Sequence, residues 1–212
     1  MALVKRTDET ASSTEPQDVS PANMDCAALA SALNDRNPIN RRQAAQDIIG
    51  CPEATRQLLA RLDIETSAAV RQVILTSLTL IGDRDAVFGL AECLRSEDAR
   101  LRNDAIEALK QLPEQVSEIV EDLLNDDDPD VRIFTVNVLE SLRHERVEQW
   151  LIDVLDNDDH KNVVCTALDL LGEVGTEAAI PALQRVMARY SDEHYIQFAA
   201  ELALKRIQQL PE

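Results

Sequence analysis

One short phrase returns six times along this chain at a nearly constant interval, and that period constrains the fold more than any other feature. An arginine-like marker is followed by small or apolar residues three, four and seven places on. It reads Arg41 with Ala44, Ala45 and Ile48, then Arg71 with Ile74, Leu75 and Leu78. It returns as Arg102 with Ala105, Ile106 and Leu109, and as Arg132 with Thr135, Val136 and Leu139. Two looser copies place Val164 before Ala167, Leu168 and Leu171, and Ile196 before Ala199, Ala200 and Ala203. The markers are 30, 31, 30, 32 and 32 residues apart. Spacing of three, four and seven draws one face of a helix. Its recurrence at a fixed period is the mark of stacked helical hairpins, each unable to bury its apolar face alone.

Composition agrees with such a stack. Apolar residues make up 45% of the chain and aromatics only 3%, so the core must be built from Leu, Ile, Val and Ala. A solenoid grows by addition, and 212 residues need no second core. No run approaches the roughly 18 apolar residues of a membrane span, and Met1–Arg6 lacks the apolar stretch of a secretory signal. Cys26, Cys51, Cys93 and Cys165 are scattered, with no C-x-x-C pair, and read as reduced cysteines of a cytoplasmic protein. The net charge of −18 opposes binding to nucleic acid or anionic membranes and suits a partner with a basic surface.

Residues 1–22 carry Ser, Thr, Glu, Pro and Gln without a period and read as a disordered tail. A six-repeat solenoid is expected over 23–212. The first helices of the pairs fall near Met24–Asn34, Glu53–Leu62, Arg84–Arg95, Glu114–Asn125, Glu145–Asp156 and Glu177–Arg189. The second helices fall near Ile39–Ile49, Ser67–Ile81, Ala99–Leu112, Pro129–Leu142, Lys161–Leu171 and Glu193–Leu210. The fourth repeat shows the logic: Val116, Val120, Leu123 and Leu124 share a face, Asn125–Asp128 breaks the helix, and Pro129 suits the first turn of the next.

The phrase running from Leu124 through Asn125, three aspartates, Pro129 and Asp130 to Val131 and Arg132 resembles the HEAT repeat. With its short period, the pattern looks most like the bacterial-type HEAT-like repeats shared with phycobilin lyase subunits. The resemblance covers about residues 24–210. It implies an all-α fold, a right-handed α-α superhelix of about six helix pairs. It also implies an arginine ladder, Arg41, Arg71, Arg102 and Arg132, pairing with acidic residues of the inter-helix turns, with Asp35, Asp63, Asp98 and Asp126 as candidates. Val164 and Ile196 depart from the pattern, so burial should replace a charged link there, and the last two repeats should pack differently or end in a hydrophobic cap.

Chemistry is harder to find. His144, His160 and His194 lie in different repeats, none with a second His or Cys at helical chelating distance. A relative of this repeat class, deoxyhypusine hydroxylase, uses several His-Glu dipeptides to hold iron, and this chain has only His144-Glu145. The Asp126–Asp130 cluster lacks the glycine and terminal glutamate of a calcium loop. No catalytic residue, metal or cofactor is assigned from these residues.

The resemblance implies that second helices line the concave face. Positions two and five after each marker point away from the core stripe, which makes Val73, Phe134 and Phe198 apolar where solvent is expected. Phe134 is the expected central anchor of a partner, with Ile133, Val73, Asn137 and Phe198 beside it. Trp150, next to Leu151, reads as a core residue. The leading expectation is a non-enzymatic protein-binding scaffold or adaptor holding a partner on its concave face. The alternative, carried by the resemblance alone, is a subunit of a phycobilin-lyase-like protein-modification enzyme.

Overall fold

The computed structural model describes residues 25–142 and 144–209. The expected tail over 1–22 lies outside the described residues, as do the helix ends placed at Met24 and Leu210. Thirteen α-helices form six antiparallel pairs among the described residues, with no strand. The first pair is α1 (Cys26–Ala32) and α2 (Pro38–Asp47), and the second α3 (Ala54–Leu62) and α4 (Ala68–Ile81). The third is α5 (Arg84–Glu92) and α6 (Ala99–Leu109). In the fourth, two short helices, α7 (Pro113–Ser117) and α8 (Val120–Leu124), stand before α9 (Pro129–Leu139). The fifth is α10 (Val147–Asn157) and α11 (Lys161–Val174), the sixth α12 (Ile180–Arg189) and α13 (His194–Gln209).

The repeated phrase is the spine of this stack. All eighteen residues three, four and seven places after the six markers are buried, from Ala44 to Ala203. They join one continuous core with first-helix residues such as Leu58, Leu90, Leu151 and Leu183. Aspartate and asparagine at the turns explain where helices begin. Asn37, Asp83, Asp98 and Asp128 each accept a backbone N–H from the first turn of the next helix. Pro38 and Pro129 occupy first-turn positions where no donor is needed. Gly82 ends α4 at φ 58°, a left-handed conformation that a side chain resists.

Two expectations need correction. The fourth first helix is broken at Ile119, where the bonds tighten to Glu118 N–H→Gln115 O and Ile119 N–H→Val116 O. Val116, Ile119 and Val120 stay buried together across the break, on the one face that their i, i+3, i+4 spacing shares. The cysteines are not all free: Cys26 and Cys51 form a disulfide that ties the start of α1 to the turn after α2. Since α1 has no buried residue of its own, a covalent tie does what packing does elsewhere. Cys93 and Cys165 stay unpaired, and burial lifts the Cys93 thiol to about 11, which keeps it protonated at neutral pH.

Candidate functional site

Three of the four marker arginines reach a carboxylate, each in the neighbouring repeat. Arg41 makes a bidentate pair with Glu65 of the next repeat, at 2.7 and 2.8 Å. Glu65 is fully buried, also receives Arg61 and the Ser67 N–H, and these donors outweigh burial to hold its carboxyl at about 2. Arg71 reaches Asp98 at 2.7 Å, and Arg132 grips both oxygens of Asp158 at 2.7 and 3.1 Å. The expected partners Asp35, Asp63 and Asp126 are therefore corrected to Glu65, Asp98 and Asp158. The reason is reach: a guanidinium on a second helix points along the solenoid axis toward the next turn. Within its own repeat it donates instead to carbonyls: Arg41 to that of Asp35, Arg102 to Ser96 and Arg132 to Asp126, each six residues earlier.

Arg102 has no carboxylate partner among the described residues, and Asp126 of the next turn is taken by the two terminal guanidinium nitrogens of Arg95. Its guanidinium lies 5.4 Å over the Phe134 ring instead. Where Val164 replaces the arginine, it is fully buried, and Arg189 of the next repeat supplies the missing donors. Arg189 donates to the carbonyls of Leu155, Asp156 and Asp158, the last again six residues before the marker.

Along this turn edge lies a groove of about 610 Å³ between the fourth and fifth repeats. Glu121, Asp126, Asp153, Asp158 and Asp159 line it against a single guanidinium, Arg132. Trp150 forms part of its floor, 1% exposed, with its indole N–H 3.4 Å from Glu121. His144 stacks on that ring at 5.0 Å and Arg146 lies 5.1 Å over it while pairing with Glu121. The bond from Arg146 holds the Glu121 carboxyl below its ordinary range. His160 donates its backbone N–H to Asp158, while its buried ring Nδ1 has no partner among the described residues. Such a groove can take up hydrogen-bond donors and positive charge.

The second-helix face holds two narrower grooves of about 190 Å³ each. One lies between α4 and α6 beside Asp104 and Glu107, the other between α9 and α11 beside Asn137, Glu140, Asp169 and Glu173. Burial, with Glu173 nearby, raises the Asp169 carboxyl despite Arg206. The five residues expected to hold a partner are spread over three helices. Ile133, Phe134 and Asn137 sit on α9 and Val73 on α4, all half-buried, with Phe134 packed on the core beneath Arg102. Phe198 on α13 is 63% exposed. Sequence reasoning missed Glu65 and Asp158 as rungs and missed the turn-edge groove. The acidic residue that stands in the turn before α4, α6 and α11, respectively Glu65, Asp98 and Asp158, was the available signal for the rungs.

Among the described residues no group of three or more His, Cys, Asp or Glu could hold a metal ion, and no helix is long and apolar enough to cross a membrane.

The family model described as HEAT repeats matches residues 26–115 and 116–205. A bilin biosynthesis protein, PecE of Mastigocladus laminosus, is 36% identical over 97 residues, 41% of this chain and 36% of the relative. The match thus spans little more than a third of that relative's length. Similar solved structures include human deoxyhypusine hydroxylase in complex with glycerol, at 18% identity and TM-score 0.46, covering 87% of this chain and 85% of that one. The complex of CpcE and CpcF of phycocyanin lyase from Nostoc gives 17% identity and TM-score 0.39, covering 95% of this chain and all of that one. A designed armadillo repeat protein in complex with the peptide (KR)4 gives 16% and 0.41, covering 87% and 100%. The likeness to a bilin biosynthesis protein corrects the expectation that the chain is not an enzyme.

Proposed function

The chain belongs to the HEAT-repeat family, and on that premise we propose that it is a subunit of a lyase-type assembly that acts on a protein carrying a bilin. The observation that carries this reading is the 36% identity over 97 residues to a bilin biosynthesis protein. The turn-edge groove supports it on size and chemistry. Its volume of about 610 Å³ lies within the span of small-molecule sites, and its carboxylates accept the pyrrole N–H groups that a linear tetrapyrrole presents in a row. Asp153 and Asp159 are the exposed members of that set with no ion pair among the described residues, Glu121 being held by Arg146, and they carry the contact. The second-helix face, with its acidic grooves and overall charge of −18, holds the protein partner through a basic surface.

Titration with a free linear tetrapyrrole tests the reading. Binding shifts the bilin's visible absorption and quenches Trp150, the sole tryptophan, at the groove floor. Asp153→Asn combined with Asp159→Asn weakens both signals about tenfold. An unchanged spectrum at saturating protein removes the bilin from the function.

A further inference from the structure

The two helices of the first repeat are held in different ways. α2 is fastened to the second repeat by bonds in which α1 takes no part: Arg41 pairs with Glu65, and the Ala45 carbonyl accepts the Ser77 hydroxyl. α1 has seven residues and buries none of them, whereas α3, α5, α10 and α12 each bury three or more. A helix that short does not hold its own shape in water. What keeps it in place is Leu33 just past its end, the half-buried Leu29 and Ala32, and the Cys26–Cys51 bond. The turn that follows is pinned from the other side. Arg41 donates to the carbonyls of Asp35 and Arg36, and Asn37 caps α2. Opening the disulfide therefore frees α1 as far as that turn and no further.

We propose that Cys26–Cys51 is a reversible redox latch, which closes α1 on the end of the solenoid when oxidised and releases it when reduced. Cys26 is half-buried at the start of α1 and Cys51 is only 8% exposed, so a reductant meets the Cys26 sulfur first. A thiolate of a dithiol reductant attacks that sulfur, the S–S bond breaks, and its electron pair leaves on Cys51, which takes a proton. The second thiol of the reductant then displaces Cys26 from the mixed disulfide. Cys26 leaves as a thiol, and the reductant ends as a disulfide. The pinned turn makes the step reversible: with Asp35 held, only the short run before it is loose, so the two thiols stay close and re-form their bond on meeting a disulfide oxidant. Release withdraws Leu29, Ala32 and Leu33 from the core and opens the apolar end of the stack to solvent. The latch lies in the first repeat, away from the turn-edge groove, and the inference stands whether or not that groove takes a bilin.

Hydrogen exchange of the full chain in dithiothreitol, and again after oxidised glutathione, is the test. Reduction is expected to lower protection in α1 roughly a hundredfold, in α2 by a smaller factor, and from α4 onward not at all. Reoxidation restores it. Cys26→Ser shows the reduced pattern in either buffer, while Cys93→Ser with Cys165→Ser responds as the parent chain does. Protection of α1 that neither reduction nor Cys26→Ser lowers would overturn the proposal. So would a loss of protection reaching through α13, which would make the bond a staple of the whole stack. A reduced chain that oxidised glutathione does not close, counted by alkylation of its thiols, would overturn it as well.

Discussion

The first repeats and the last bury the same three positions after the marker, yet they are joined to their neighbours by different forces. At Arg41 and Arg132 the joints carry charge: the guanidinium crosses to the next turn and also closes its own turn through a carbonyl. At the last joint the marker is Ile196, Ala203 on α13 meets Gly172 on α11, and the charged links come from outside the marker, Arg185 to Asp156 and Lys161 to Glu193. Charged rungs fix direction and spacing, because bidentate geometry tolerates little displacement. An alanine and glycine seam sets a close approach, with Ala203 against Gly172, and so decides which face of α13 packs inward. The difference teaches that a solenoid keeps its period with either joint, while the joint decides which side chains reach the surface.

The largest expected effect breaks the strongest rung. Glu65→Ala leaves Arg41 buried without its partner and should cost roughly 3–5 kcal/mol by urea denaturation. The same rung sets the acid response. The Glu65 carboxyl is depressed in the folded state, so its contribution is complete above the ordinary carboxylate value of 4.5. It is lost as pH falls from there to about 2. A Glu65→Gln chain should lack that acid phase.

Next comes the covalent joint. Reducing Cys26–Cys51, 25 residues apart, should cost about 3 kcal/mol from loop entropy. Hydrogen exchange should locate the loss in α1 and α2 and leave α13 untouched. The alanine seam is expected to be weaker: Ala203→Leu should cost about 1–3 kcal/mol by overpacking against Gly172. Arg189→Met, which uncovers the three carbonyls of the α10–α11 turn, should cost about 1–2 kcal/mol in the same assay. The smallest change is Arg102→Met. It loses one carbonyl bond and the Phe134 contact, about 1 kcal/mol, and a loss as large as that of Glu65→Ala would erase the contrast between rungs.

Much of the fold was legible because helical burial is local. Ile74, Leu75 and Leu78 announce their shared face within one turn of chain, and Asp128-Pro129 announces where a helix begins. The rungs were half legible: Arg132 stands out, but nothing near it says that Asp158 rather than Asp126 is its carboxylate. The candidate site was the least legible part. Phe134 and Phe198 occupy equivalent places in the repeat, yet one lies under Arg102 and the other faces solvent. The groove above Trp150 gathers residues from α8, α9, α10 and two turns, which no single window contains.

The sequence by itself determined the period, the six helix pairs, the buried spine and the acidic exterior, because each follows from spacing within one or two turns or from composition. The tertiary structure alone decided which repeat each arginine reaches, that Cys26 meets Cys51, and that α13 turns Tyr195, Phe198 and Leu202 outward. Those outcomes depend on how one repeat sits on the next. That step is set by side-chain volumes and charge geometry across some thirty residues of chain, beyond the reach of any local pattern.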